Sequence, residues 1–131
     1  LDFTANLDSI ILYVHDVPKL KSFYCTTFNL KIVEEHESLW VLLGAGNTKI
    51  GLHKIGDQYL QADSKSYKFH SNTKVVFEIN QDLTTVRTRF INQGIPMREI
   101  KTFDNYDFWL CDGEDPEGNV FQLKQKKLNG Y

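Results

Sequence analysis

The sequence predicts an α+β fold of two tandem β-α-β-β-β units, forming a curled mixed sheet that lines a cleft, with the helices on its outer face. Three observations predict it. A β-branched apolar run followed by an Asp-capped amphipathic segment occurs twice, opening at Ser9 and again at Lys74. Each helical segment is followed by short apolar runs bounded by turn residues. The two copies are offset by about 65 residues, and one such unit alone cannot bury its sheet.

The first strand is Ser9-Ile10-Ile11-Leu12-Tyr13-Val14. Asp16 follows as an N-cap whose carboxylate accepts from a first-turn amide, and Pro18 sits where a missing N–H breaks no bond. Leu20, Phe23, Tyr24, Thr27 and Phe28 recur at steps of three and four, a helix with one aromatic face, and Asn29 closes it. Strands are expected at residues 31–35, 39–43 and 48–53. Gly44 to Asn47 reads as a four-residue hairpin turn. That turn sets Trp40 opposite Gly51 and Val41 opposite Ile50. Trp40, Gly51 and His53 then share one face, and Val41, Ile50 and Leu52 the other.

Residues 56–72 are polar and read as a linker or lid. The second copy runs from the strand at 74–79 through the cap Asn80-Gln81-Asp82. A helix with Leu83, Val86, Phe90 and Ile91 on one face follows, closed by Gly94. Three more strands are expected at 96–100, 106–110 and 119–124, the last two joined by an acidic turn from Cys111 to Gly118. The whole chain, 1–131, is thus one domain, with unit one at about 7–55 and unit two at about 73–125.

Composition narrows the function classes. The 131 residues carry 15 Lys+Arg against 17 Asp+Glu, a net charge of −2. No basic face advertises nucleic acid or an anionic membrane. No apolar run approaches the ~20 residues that span a bilayer. The opening Leu1-Asp2-Phe3-Thr4 lacks signal-peptide character. Cys25 and Cys111 form no paired motif, so both read as reduced structural thiols of a cytoplasmic protein.

Two motifs carry a resemblance. Leu12-x-Val14-x-Asp16-x-x-x-Leu20-x-x-Phe23-Tyr24, with Asn29-Leu30 after it, resembles the opening of the vicinal oxygen chelate superfamily. That group includes glyoxalase I, the extradiol dioxygenases and the bleomycin-resistance proteins. Asp115-Pro116-Glu117-Gly118-Asn119, leading into Val120-Phe121-Gln122-Leu123, is similar to the superfamily's turn before its last strand. The resemblance spans about Leu7 to Gln125. The rival architecture, a ferredoxin-like dimeric barrel, predicts β-α-β order and has no use for that turn.

The resemblance implies a divalent metal held by one residue from the first and one from the last strand of each unit. Those positions fall on Ser9, Gly51, Lys74 and Gln122. Glycine offers no donor and a solvated lysine repels a cation, so no metal or other cofactor is expected. No histidine has metal-ligand spacing. His15, His36 and His70 read as turn or linker histidines, whereas period two places His53 on the cleft face.

The expected ligand-binding set is Tyr13, Trp40, Gly51, His53, Glu78, Trp109 and Gln122, with Ile11, Leu42, Val76 and Val120 adding to the same face. No residue is assigned to catalysis; His53, Glu78 and Tyr13 are the candidates for acid–base work. Either Phe108 or Trp109 faces the cleft, and the other faces the helix. A metal-free aromatic cleft looks most like the bleomycin-resistance branch, which implies binding of a flat or amphipathic small molecule by a homodimer. The alternatives are a lyase, isomerase or dioxygenase relative, and an interaction scaffold.

Overall fold

In a computed structural model, residue 4, residues 7–56 and residues 73–128 are described. The elements are β1 (Ser9–Val14), α1 (Val17–Phe28), β2 (Lys31–His36), β3 (Trp40–Ala45) and β4 (Thr48–Lys54), then β5 (Val75–Glu78), α2 (Leu83–Asn92), β6 (Phe108–Glu114) and β7 (Val120–Lys126). They form two mixed sheets, ordered β1-β4-β3-β2 and β5-β7-β6. The chain divides into two compact units, within Leu1–Tyr67 and Lys68–Tyr131. In each, the first strand runs parallel to the last, and the last runs antiparallel to its predecessor. Beyond Gly56, the expected linker lies outside the described residues.

The first unit folds as its punctuation dictates. Asp16 caps α1 by accepting from the Lys19 amide at 3.0 Å, and Asn29 ends it in the left-handed region at φ 55°. Asparagine tolerates that conformation, which other non-glycine residues rarely adopt. Val17, Leu20 and Tyr24 of α1 are buried, as are Val14, Val41, Leu43, Ile50 and Leu52 of the sheet. Burial of each such side chain stabilises by about 1.5–3 kcal/mol.

The β3–β4 connection is tighter than the sequence suggests. Ala45 pairs with Thr48, leaving a two-residue loop in which Gly46 takes φ 68°, the position where a type II′ turn demands glycine. Trp40 therefore faces His53, Leu42 faces Gly51 and Val41 faces Leu52. The expected register is off by two residues. Because side chains alternate with period two, every residue keeps its predicted face.

In the second unit Asp82 caps α2 through the Thr85 amide at 2.9 Å. The helix ends in a Schellman arrangement, with the Gly94 N–H donating to the Ile91 carbonyl and the Ile95 N–H to that of Phe90, both at 3.0 Å. Leu83, Val86 and Phe90 join Val75, Cys111, Phe121 and Leu123 in the core.

Two expectations fail here. The segment 96–100 is not a strand. It hydrogen-bonds along β6 only at two isolated bridges, Met97 with Gly113 and Lys101 with Leu110. Four residues' advance on one side opposes three on the other, so no continuous ladder can form. The acidic stretch 111–118 is also not all turn, since β6 extends through Glu114. Cys111 is fully buried on the helix side, while its neighbour Asp112 alternates to the opposite face and finds cations there. The turn proper is Asp115 to Asn119. The Asp115 carboxylate accepts from the Glu117 and Asn119 amides and from the Asn119 side chain, each at 2.9 Å, and Gly118 supplies φ 83°. The Asp-Pro-Glu-Gly-Asn motif is thus a turn built around the buried Asp115 carboxylate, with Glu117 buried as well.

Candidate functional site

Alternation along β1, β3 and β4 puts Ile11, Tyr13, Trp40, Leu42, Gly51 and His53 on the face of the first sheet away from the buried set. Ile11 and Tyr13 are 44% and 56% exposed, His53 is exposed and Trp40 half-buried. The Trp40 ring leans diagonally across the sheet onto Gly51. A Cβ added there would lie 2.7 Å from Trp40 Cζ3, closer still to Cη2, and 3.2 Å from Ile11. Only glycine leaves that seat open. The indole N–H donates to Glu34 Oε2 at 3.2 Å, a partner the sequence reading did not include.

His53 sits between two rings, its centroid 5.2 Å from Tyr13 and 5.9 Å from Trp40. Its Nδ1 lies 2.8 Å from the Lys54 carbonyl. A carbonyl only accepts, so Nδ1 is the ring nitrogen placed to donate, and Nε2 is left on the other side of the ring. Trp40 and His53 each have one ring nitrogen tethered, and with Tyr13 they make an aromatic surface edged by polar atoms.

The second sheet's corresponding face carries different chemistry. Val76, Gln122 and Asp112 lie side by side across β5, β7 and β6. Asp112 is 5% exposed. Its Oδ1 accepts from Gln122 Nε2 and its Oδ2 from Lys74 Nζ, both at 2.9 Å. Arg98 Nη1 stands 3.6 Å from Oδ2 and its Nη2 3.5 Å from Glu114. Burial alone would raise the Asp112 carboxyl, but hydrogen bonds from Lys74 and Gln122 and the charges of Lys74 and Lys101 outweigh it. They hold it below the usual carboxylate range. Asp112 is the residue that sequence reasoning missed, hidden by its assignment to a turn.

One expected ligand residue falls elsewhere. Trp109 shares its strand parity with the buried Cys111, not with Asp112. It lines a depression at the start of α2 with Leu83, Thr84 and Gln125. Phe108, under the Lys124 ammonium at 4.0 Å, has the face assigned to Trp109. Glu78, exposed at the end of β5, keeps its expected face with Val76 and Gln122; it belongs to the second unit and His53 to the first. The Cys111 thiol is a buried structural group. Burial pushes Cys111 up despite the opposing charge of Arg87, and its Sγ lies 3.2 Å from the Arg98 carbonyl.

The residues at the four metal positions do not fit a divalent cation. In the first unit Ser9 is a weak donor, and the seat above Gly51 is filled by the Trp40 ring. In the second unit the Lys74 ammonium is itself a cation, ion-paired to Asp112 beside Gln122. Among the described residues no group of three or more His, Cys, Asp or Glu could hold a metal. No helix among them is long and apolar enough to cross a membrane.

No family model matches the sequence, and no curated protein matches it. Solved structures do. A lactoylglutathione lyase from Agrobacterium tumefaciens is 19% identical over 98% of both chains, with a TM-score of 0.71. A fosfomycin resistance protein from Listeria monocytogenes, solved with Mn(II) and sulfate, is 17% identical over 98% of this chain and 95% of its own, with a TM-score of 0.75. An integron cassette protein from the mobile metagenome of V. cholerae is 22% identical over 95% of this chain and 98% of its own, with a TM-score of 0.70. The repeated topology and these likenesses together show that the chain has the fold of the vicinal oxygen chelate superfamily, shared with glyoxalase and fosfomycin-resistance proteins.

Proposed function

We propose that the chain binds a flat or amphipathic small molecule without a metal, on the aromatic face of its first sheet. One observation carries the reading: Trp40 lies over Gly51 with its N–H tethered to Glu34, half-exposed and flanked by His53 and an exposed Tyr13. Aromatic side chains held in place offer contact area at little further cost in entropy. Ring stacking adds about 0.5–1.5 kcal/mol beyond the area buried. The test is quenching of tryptophan fluorescence by 2-naphthol, a neutral flat probe, in the presence of a chelator. Saturable quenching is expected, weakened roughly tenfold in Trp40→Ala. Equal binding by that variant refutes the reading.

A second reading is favoured by the placement of His53. With Nδ1 held against the Lys54 carbonyl and the ring beside Tyr13, Nε2 is placed for acid–base work, as in an acid–base lyase or isomerase of the same fold. His53→Ala separates the two: it lowers affinity only slightly in a binder and abolishes turnover in an enzyme. The resemblance also supports a homodimer as the working assembly, the commonest closed symmetry. Sedimentation at about tens of micromolar, a range where modest dimers form, tests this, and a monomer there contradicts it.

A further inference from the structure

We propose that Lys74 is a built-in cationic centre on the open face of the second sheet, positioned by Asp112 to receive an oxyanion, a carboxylate or phosphate group of a ligand. The inference goes beyond the aromatic face of the first unit and does not rest on it. An exposed lysine is ordinarily a flexible, solvated point charge. Lys74 is 40% exposed but anchored, its ammonium 2.9 Å from a carboxylate that is only 7% exposed.

That carboxylate is itself held in place. Gln122 Nε2 occupies Oδ1, and Arg98 approaches the oxygen that Lys74 uses. Two cations therefore flank one buried anion, and Arg98 also reaches Glu114. An ammonium has three donors. One is used on Asp112, and no other hydrogen bond from Lys74 Nζ is made among the described residues. Two donors remain on a side chain that is 40% exposed, and Val76, two residues along the chain, is 49% exposed. An apolar neighbour lowers the local dielectric and strengthens a charge-assisted bond to an incoming oxygen. Gln122 and Lys74 fall on two of the positions where the resemblance implies metal ligands. The second unit thus offers a lysine charge at a place where its relatives' chemistry would call for a metal's. Asp112 is a positioning residue in this arrangement.

The experiment titrates inorganic phosphate and, separately, acetate into the whole chain. The reporter is the Gln122 side-chain amide, followed by 1H–15N NMR at constant ionic strength, with sodium chloride as the control for screening. Saturable shifts on the order of millimolar Kd are expected for so small a probe. They should persist in Lys74→Arg and weaken at least tenfold in Lys74→Met. Whichever of the two anions binds more tightly identifies the oxyanion class. The proposal is overturned if neither anion shifts Gln122 in the unmodified chain beyond the chloride control. It is equally overturned if Lys74→Met binds as the unmodified chain does, since Lys74 is then only the counter-ion that a buried aspartate needs. The first outcome requires no variant to fold.

Discussion

The two sheets share the order of first, last and penultimate strand, the first adding β2 at its edge, and differ in what their open faces carry. In the first, an indole covers Gly51 and packs against His53, with Tyr13 beyond it. In the second, Asp112 and Lys74 form an ion pair beside Gln122. The helix-facing sides are alike, with Leu20 and Tyr24 on one and Val86 and Phe90 on the other. Duplication thus preserves the half of each unit that buries apolar area and leaves the other half free to diverge. The chemistry of a ligand face is set by a few residues that do not hold the fold together.

A pair of glycines breaks or sharpens this contrast most strongly. Gly113 looks toward the core, where an added Cβ would meet Met97 Sδ and Phe121 Cζ, each at 2.5 Å. Phe121 is fully buried and cannot swing aside. Gly113→Ala should therefore cost about 2–3 kcal/mol in urea unfolding, at the upper end of overpacking effects. Gly51→Ala meets the far end of Trp40 on an open face, so the ring can move outward. Its expected cost is under about 1 kcal/mol, accompanied by a red-shifted tryptophan emission and lost 2-naphthol binding. Equal stability losses at the two glycines would show that the first face is packed like a core.

The ion pair comes next. Lys74→Met leaves Asp112 buried with Arg98 as its remaining ion-pair partner among the described residues. Because Lys74 is 40% exposed, solvent screening cuts the loss well below that of a fully buried pair, to about 1–2 kcal/mol. The same carboxylate gives a pH signature. Its folded pKa is depressed, so its contribution is fully present above the unfolded value of about 3.9. That contribution is lost as pH falls through the folded value. Asp112→Asn should flatten the acid limb of stability below about pH 4 while lowering stability at neutral pH. An unchanged acid limb would mean that Lys74 and Gln122 do not hold the charged form. Smallest of all, His53→Ala should alter stability by no more than about 0.5 kcal/mol, since His53 is exposed. A larger loss would make it part of the scaffold.

The scaffold was legible because local chemistry and global fold agree. Asp16 and Asp82 mark helix starts, Asn29 and Gly94 mark their ends, and period-two alternation sorted Val41 and Leu52 from Trp40 and His53. Register was less legible. Gly44-Ala45-Gly46-Asn47 contains two glycines, and only the tertiary pairing decides that the turn uses Gly46. The second face was hidden for a different reason. Cys111-Asp112-Gly113-Glu114 reads as a polar turn, yet its alternation of small or apolar with acidic residues is that of a strand whose charges are met by Lys74 and Arg98. Those partners lie 38 and 14 residues away in sequence, and period alone cannot reveal them.

The central claim, that the first sheet's aromatic face is a ligand platform working without a metal, is tested most directly at one atom. Trp40 Nε1 donates to Glu34, and its indole N–H resonance reports on the ring that covers Gly51. Titrating 2-naphthol into the chelator-treated chain should shift that resonance saturably, with the shift unaffected by added manganese or zinc. A Trp40 resonance that stays fixed while 2-naphthol binds, or that shifts only after metal is added, would contradict the account.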